Sequence, residues 1–203
     1  MARIKICGLS RPCDIDFVNE AKPDYIGFVF ANSRRRVTPL DAAAMRARLD
    51  SSIVPVGVFV NEDIGQIARL HGDGVIAAAQ LHGDEDDVYI EKLRAVCGIQ
   101  VIKAIRVKSR EDIIGALDSL ADCILYDSAA GSGERFAWHL AKDAPRAFFL
   151  AGGINESNIK DALALSPFCV DVSSGAETGG VKDREKIKRL VRLVRENEEG
   201  EME

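Results

Sequence analysis

The chain has 203 residues, 47% of them hydrophobic, and a formal net charge of -5 at pH 7. That is enough apolar material for one domain with a buried core, and the acidic balance argues against a nucleic-acid or membrane surface. The five cysteines show neither a CxxC pair nor zinc spacing, and the N-terminus has no signal-peptide pattern; we therefore expect free thiols, no metal site and a cytoplasmic protein.

Short apolar runs of β type recur along the chain, separated by amphipathic stretches. The predicted strands cover residues 4–9, 25–30, 54–60, 75–82, 100–107, 123–128, 147–153 and 169–175. The predicted helical segments include residues 13–21, 62–70, 88–96, 110–120, 155–165 and 184–196. Strands that alternate with helices predict βαβ crossovers and a parallel sheet.

Eight strand–helix units in this length average about 25 residues each, close to the minimum for such a unit. The pattern therefore predicts an α/β protein that is a single (β/α)8 TIM barrel over residues 1–196, followed by an acidic tail at 197–203. The alternative is an open, doubly wound sheet. That fold would favour an early GxGxxG turn, which this sequence lacks.

The alternation of side chains along each strand predicts which residues face the barrel interior. In the first strand, Lys5 and Cys7 point inward if the isoleucines face the helices. In the sixth strand Asp127 points inward at the carboxyl end, and in the eighth Asp171 and Ser173 do so. Barrel chemistry sits at this end of the strands, so we expect these polar groups to converge there.

Glycine-rich loops follow the last three predicted strands: AAGSGERF (129–136), LAGGI (150–154) and SSGAE (173–177). Taken alone, such glycines are more typical of ordinary turns. Two of these loops, however, follow the seventh and eighth strands, where many barrels bind a phosphate through main-chain N–H groups. None matches a P-loop.

Seven signatures then occur in order along nearly the whole chain. They are KICGL (5–9), GFVF with SRR (27–30 and 33–35), GVFV (57–60), QLHG (80–83), DSAAGSG (127–133), LAGGI (150–154) and VDVSSGAE (170–177). This series resembles the phosphoribosylanthranilate isomerase family of tryptophan biosynthesis. The resemblance implies a barrel enzyme that converts N-(5-phosphoribosyl)anthranilate to 1-(2-carboxyphenylamino)-1-deoxyribulose 5-phosphate by an Amadori rearrangement, without a cofactor.

By the same resemblance, Cys7 is the general base and Asp127 the general acid. The chemistry needs both, because the sugar ring opens on protonation of its oxygen and the Schiff base then loses a proton from C2′. A free thiol titrates near ~8.5, so the site must favour the thiolate. Lys5 would supply positive charge, or it would form a structural ion pair with Asp171. The alternative role for Asp127 is to cap the segment after the sixth strand.

The resemblance also implies roles in substrate binding. Arg35 would contact the anthranilate carboxylate, although SRRRV (33–37) leaves Arg34 and Arg36 as alternatives. Asp171 would orient that arginine or the substrate's amino group. The phosphate would be held by these residues: Gly152, Gly153, Ser173, Ser174 and Gly175, with Gly131 and Gly133 from the sixth loop. His82 is interpreted as a hydrogen-bonded structural histidine.

Other functions remain open on the same fold. One is a catalytically silent barrel that binds a phosphorylated ligand, and another is a different phosphosugar isomerase. An indole-glycerol-phosphate synthase would need a catalytic lysine, for which Lys103 is the one weak candidate. We expect a small phosphorylated molecule as the partner, and a monomer rather than a dimer.

Overall fold

The computed structural model describes residues 2–127, 138–142 and 144–199. Within this part of the chain, parallel strands β1 to β8 close into a barrel in sequence order, and β8 pairs with β1. The strands are β1 (Arg3–Cys7), β2 (Tyr25–Val29), β3 (Val54–Phe59), β4 (Ala78–Leu81), β5 (Gln100–Arg106), β6 (Cys123–Asp127), β7 (Phe148–Leu150) and β8 (Cys169–Val172). The barrel prediction is confirmed, and the open sheet is excluded because β8 closes on β1.

Helices connect the strands around the outside. They are α1 (Pro12–Ala21), α2 (Pro39–Arg46), α3 (Ile64–Gly72), α4 (Asp87–Cys97), α5 (Arg110–Gly115), α6 (Ile159–Leu163) and α7 (Arg184–Glu199). Short 3-10 helices cover Trp138–Ala141 and Ser174–Ala176, and a small hairpin of β9 (Glu177–Thr178) and β10 (Val181–Lys182) precedes α7. In the described residues, no helix has the length and apolar character needed to cross a membrane.

Several boundaries differ from the predicted ones. Helix α2 was not predicted, although Thr38 caps it by accepting from the Asp41 N–H and Pro39 begins it. Helix α7 continues to Glu199, three residues beyond the predicted end at 196. The strands β7 and β8 end before their glycine and serine residues, because those residues already form the loops at the barrel mouth.

The predicted alternation of side chains is confirmed. Ile4 and Ile6 of β1 belong to the cluster between the barrel and its helices, as does Tyr126 of β6. The residues of a second, smaller cluster fill the barrel interior: Val56, Ala78, Ile102, Ala104, Leu125, Phe149, Ala151 and Cys169. The interior is therefore a packed core, and the chemistry is restricted to its carboxyl-terminal mouth.

Candidate active site

A cavity of about 960 Å³ opens at the carboxyl ends of the strands. It brings together most of the predicted site residues within the described part of the chain: Cys7, Arg35, Asp127, Gly152, Gly153, Asp171, Ser173 and Ser174. The described lining does not include Gly175, and Gly131 and Gly133 lie outside the described residues. The convergence expected from strand alternation is therefore present in the fold.

Cys7 is the last residue of β1 and is 7% exposed. It pairs in register with Gly27 of β2, and a Cβ atom at position 27 would lie 2.6 Å from the Cys7 sulfur. Any larger residue at position 27 would thus collide with the thiol. The glycine of the GFVF signature makes room for the side chain that faces the cavity.

Lys5 lies one layer below Cys7 and is completely buried. Its Nζ donates to Oδ2 of Asp171 at 2.8 Å and to Oε1 of Gln80 at 2.9 Å. The ion pair expected as one of two roles for Lys5 is therefore present. The other carboxylate oxygen of Asp171, Oδ1, is buried and has no hydrogen-bond partner among the described residues.

The charge of Lys5 also acts on Cys7. Burial raises the pKa of the Cys7 thiol above its ordinary value, while the positive charges of Lys5 and of Lys182 partly oppose that rise. Burial alone would lower the pKa of Lys5, but the charges of Asp171 and Cys7 raise it overall, which keeps the ammonium protonated. The two roles predicted for Lys5 are thus compatible in one geometry.

A Lys5→Met substitution is expected to raise the pKa of Cys7 further, because the ammonium that favours the thiolate is removed while the negative charge of Asp171 remains. Alkylation of Cys7 at about pH 8 should therefore be slower than in the original protein. Mass spectrometry of the peptide that contains Cys7 measures this rate. The free energy of unfolding should fall by about 3–5 kcal/mol, since Asp171 is left buried and unpaired.

The matched control is Lys160→Met, which removes an exposed lysine on α6 and should change neither quantity. If the folded Lys5→Met protein has the same Cys7 pKa as the original protein, Lys5 does not act on the thiol, and its role is limited to the ion pair with Asp171.

Asp127 ends β6 and its side chain is 21% exposed. Oδ2 of Asp127 lies 3.4 Å from Nε2 of His82, and Nδ1 of His82 lies 2.8 Å from Nε2 of Gln80. Asp127 therefore faces the cavity with a histidine beside it. The alternative role as a cap concerns residues 128–137, which lie outside the described part of the chain.

Arg35 is held at the cavity wall by Glu177. Its Nε and Nη2 donate to the two carboxylate oxygens at 2.6 and 3.1 Å. Arg34 donates to the same carboxylate but its side chain is 57% exposed. Of the three consecutive arginines, Arg35 is the one in the described cavity lining. Asp171 binds Lys5, and Arg35 pairs with Glu177.

Gly8 of the KICGL signature adopts φ +85°, and a Cβ atom there would lie 2.4 Å from Cδ of Arg35. Glycine is therefore needed at this position for two reasons. It permits the left-handed backbone, and it leaves space for the Arg35 side chain, which lies against the backbone just after β1.

The loops after β7 and β8 meet at one side of the cavity. Gly152 and Gly153 have φ values of +93° and +74°, and within residues 2–127, 138–142 and 144–199 their main-chain N–H groups find no acceptor. Asn158, 1% exposed, fixes this loop by donating to the Gly153 carbonyl at 3.0 Å. The loop can therefore present free N–H groups to an anion.

At Gly175 the loop after β8 packs closely against the loop after β7. A Cβ atom at this position would lie 2.0 Å from the carbonyl oxygen of Ile154. The two backbones are thus in direct contact, and this contact requires glycine. The structure places Gly175 as a support for the loops, outside the described cavity lining.

The sequence interpretation missed part of the site. His82 was interpreted as a hydrogen-bonded structural histidine; the hydrogen bond is present, to Gln80 at 2.8 Å, but His82 also lines the cavity beside Asp127. Glu177 and Lys182 were not predicted either, and Lys182 is a buried residue of β10 that donates to Glu177 at 2.8 Å. A signal for His82 was available, because Gln80 and His82 are two residues apart in the predicted strand 75–82 and so were expected to face the same side.

Lys103, the candidate lysine for a different barrel reaction, is fixed by other groups. Its Nζ donates to the Gly83 carbonyl at 2.7 Å and to Glu85 Oε2 at 3.0 Å. Glu85 in turn accepts from the main-chain N–H groups of Asn61 and Gly83 at 2.6 and 2.9 Å. These bonds hold the loops after β3 and β4 together, which gives Lys103 a structural role.

The chain is similar to a known protein family over nearly its whole length. The family model described as N-(5'phosphoribosyl)anthranilate (PRA) isomerase matches residues 4–193. The chain is 47% identical over 201 residues to an N-(5'-phosphoribosyl)anthranilate isomerase of Endomicrobium trichonymphae, covering 96% of this chain and 99% of that protein.

Solved structures agree with the sequence comparison. One is a phosphoribosyl anthranilate isomerase in complex with reduced 1-(o-carboxyphenylamino)-1-deoxyribulose 5-phosphate; it has a TM-score of 0.86 and 36% identity, covering 97% of this chain and 100% of that one. Another, with the same values, shows monomers made from the dimeric isomerase of Thermotoga maritima. The family match over nearly the full length and these identities lead to one conclusion: the chain belongs to the N-(5'-phosphoribosyl)anthranilate isomerase family.

Proposed function

We propose that this chain converts N-(5-phosphoribosyl)anthranilate to 1-(2-carboxyphenylamino)-1-deoxyribulose 5-phosphate in tryptophan biosynthesis. The observation that carries the proposal is that Cys7 and Asp127, from the ends of β1 and β6, line one cavity together with the glycine loops after β7 and β8. A base, an acid and an anion site in one cavity are the parts that this isomerisation requires.

The rearrangement needs two proton transfers by side chains of this chain. Asp127, protonated, gives its proton to the furanose ring oxygen, which opens the ring to a Schiff base between C1′ and the anthranilate nitrogen. The Cys7 thiolate then removes the proton from C2′ to give an enolamine, which tautomerises to the ketone at C2′. No electrons leave the substrate, so the reaction requires no redox partner.

The substrate's amino group has a ready acceptor in Asp171. Its Oδ2 accepts from Lys5, but the buried Oδ1 has no partner in the part of the chain that the structure describes, and a buried carboxylate oxygen without a donor is costly. We assign the anthranilate N–H to this oxygen. The alternative, in which Asp171 orients the arginine, has less support because Arg35 pairs with Glu177.

The anthranilate carboxylate is assigned to Arg35. Glu177 occupies Nε and Nη2 of its guanidinium, which leaves Nη1 for a second carboxylate. Glu177 also accepts from Arg34 and Lys182, so the cluster of three cations and one carboxylate keeps a positive charge at this wall of the cavity. A planar, fixed guanidinium suits a planar carboxylate.

The phosphate is assigned to the N–H groups of Gly152 and Gly153 with Ser173 and Ser174, and Gly175 sets the distance between the two loops. A Gly175→Ala substitution should therefore raise KM on the order of 10-fold or more, because the new Cβ atom would push the two loops apart at 2.0 Å from Ile154 O. Steady-state kinetics on the purified variant measure this.

The matched control for that variant is Gly72→Ala, at the end of α3, where a Cβ atom would meet nothing within 4 Å. It should leave KM unaltered. A Gly175→Ala protein with ordinary KM would show that the contact between these loops does not set the phosphate site.

The test of the proposed function is turnover by the purified protein, followed as loss of phosphoribosylanthranilate fluorescence. We expect conversion to the deoxyribulose product, which has the same mass as the substrate and is identified by co-elution with authentic product in chromatography. A silent binding protein would instead bind the substrate without consuming it, and an isomerase for another phosphosugar would leave it unaltered. Either result would overturn the proposal.

We infer a cytoplasmic monomer as the working form. The described cysteines are all free thiols, which suits a reducing compartment. The Thermotoga maritima relative is dimeric, so light scattering of the purified protein is the measurement that distinguishes a monomer from a dimer of this chain.

A further inference from the structure

A chain of polar contacts crosses the barrel mouth from Asp171 to Asp127, and the mechanism above uses only its two ends. Between them lie Lys5, Gln80 and His82, joined by contacts of 2.8, 2.9, 2.8 and 3.4 Å. The residues come from four different strands or strand ends, so the contacts depend on barrel closure. Gln80 is 2% exposed, and both ends of its amide contact side chains of this network.

The orientation of the Gln80 amide is set by Lys5. An ammonium group can only donate hydrogen bonds, so the Gln80 atom that contacts Nζ must be the carbonyl oxygen Oε1. The amide nitrogen Nε2 then faces His82. An amide nitrogen can only donate, so Nδ1 of His82 must accept and carries no proton.

The neutral imidazole consequently has its proton on Nε2. This nitrogen faces Oδ2 of Asp127 at 3.4 Å, longer than an ideal hydrogen bond. Contacts between catalytic groups are often long without substrate and shorten in the complex. Both side chains are about one-fifth exposed, 23% for His82 and 21% for Asp127, and so have room to make this adjustment.

We propose that His82 is a positioning residue for the general acid: held by Gln80 as the Nε2–H tautomer, it donates to Oδ2 of Asp127 and thereby turns Oδ1 toward the sugar ring oxygen. The proton that Asp127 delivers is then carried on Oδ1, because Oδ2 is occupied as an acceptor. This inference rests on the proposed function, in which Asp127 protonates the ring oxygen.

The tautomer of His82 can be measured without any activity. In protein labelled with 15N-histidine, long-range proton–nitrogen correlation spectra distinguish a protonated from an unprotonated Nδ1. We expect the Nε2–H tautomer for His82, and a change in its Nε2 shift in Asp127→Asn protein. The signals of His71, a histidine of α3 whose Nδ1 lies 3.2 Å from the Ile76 carbonyl, should not change. An Nδ1–H tautomer of His82 would overturn the proposal.

Kinetics test the positioning role itself. His82→Leu removes the donor and should lower kcat on the order of 10-fold to 100-fold, part of the factor that general acid catalysis contributes, while KM changes by less than about 3-fold. His82→Gln restores a neutral N–H donor and should recover kcat to within about 5-fold of the original protein. A histidine that serves only packing would not be rescued by this amide donor.

The matched control is His71→Leu, which should leave kcat and KM unaltered. Thermal unfolding of each variant checks that the fold is retained. If the original protein turns over the substrate and Asp127→Asn does not, but His82→Leu retains full kcat, the positioning role is wrong while the proposed function stands. If the original protein itself fails to turn over the substrate, the function is wrong, and the tautomer measurement then reports on His82 alone.

Discussion

Replacing Asp127 with asparagine is expected to lower kcat for the isomerisation by about 10³-fold while KM changes little. Asparagine has nearly the same shape and keeps the contact with His82, but it has no proton to give to the ring oxygen, and general acid catalysis contributes roughly 10²- to 10⁴-fold. The loss should therefore appear in kcat and in kcat/KM to the same extent. Steady-state fluorescence kinetics on the purified variant measure both.

The control makes the same chemical change elsewhere. Asp73 is an exposed residue at the end of α3, at the opposite end of the barrel, and Asp73→Asn should leave both constants unaltered. If Asp127→Asn keeps more than about a tenth of the original kcat, ring opening does not depend on this carboxyl group.

Replacing Cys7 with alanine is expected to abolish measurable turnover, a loss of about 10³-fold or more, because Cys7 is the group that removes the C2′ proton in the proposed mechanism. Binding of the phosphate and the carboxylate should persist, so the variant should still bind product in calorimetry. The change is small in volume, and Cys7 is a buried cavity residue, so the fold should tolerate it.

In the original protein, the pH dependence of kcat/KM should also reflect the titration of the Cys7 thiol. Burial raises the pKa of Cys7 in the free protein, and the thiolate is the active form. As pH rises through that elevated pKa, kcat/KM should therefore increase. The control is Cys97→Ala, which removes a half-buried thiol of α4. Its kcat and KM should equal those of the original protein. Retained turnover in Cys7→Ala would exclude the thiol as the base.

The repeating pattern of strands and helices was enough to predict the barrel, because units of about 25 residues suit a closed barrel and the early GxGxxG turn of a doubly wound sheet is missing. Strand ends were predicted less well. Residues such as Gly152 and Ser173 were included in strands by their apolar neighbours, but Gly152 has a positive φ and cannot continue a strand. Helix α2 was missed because its apolar face is short, although Thr38 and Pro39 carried a capping signal.

Strand alternation placed Cys7, Asp127 and Asp171 at the mouth because it depends only on local geometry. The partners of these residues depend on barrel closure instead. Lys5 and Gln80 are 75 positions apart and Arg35 and Glu177 are 142 apart, and no local pattern relates such pairs. The role of Gly8 beside Arg35 was hidden for the same reason, since the glycine is required by a side chain from another loop.

A crystal structure of this protein with the reduced form of the deoxyribulose phosphate product bound would test the roles of Cys7 and Asp127 most directly. We predict the Cys7 sulfur within about 4 Å of C2′ and a carboxyl oxygen of Asp127 within about 3 Å of the C4′ hydroxyl, which derives from the ring oxygen. The phosphate should contact the loops after β7 and β8. A ligand bound with C2′ distant from Cys7, or with Asp127 away from the C4′ oxygen, would contradict the acid–base assignment.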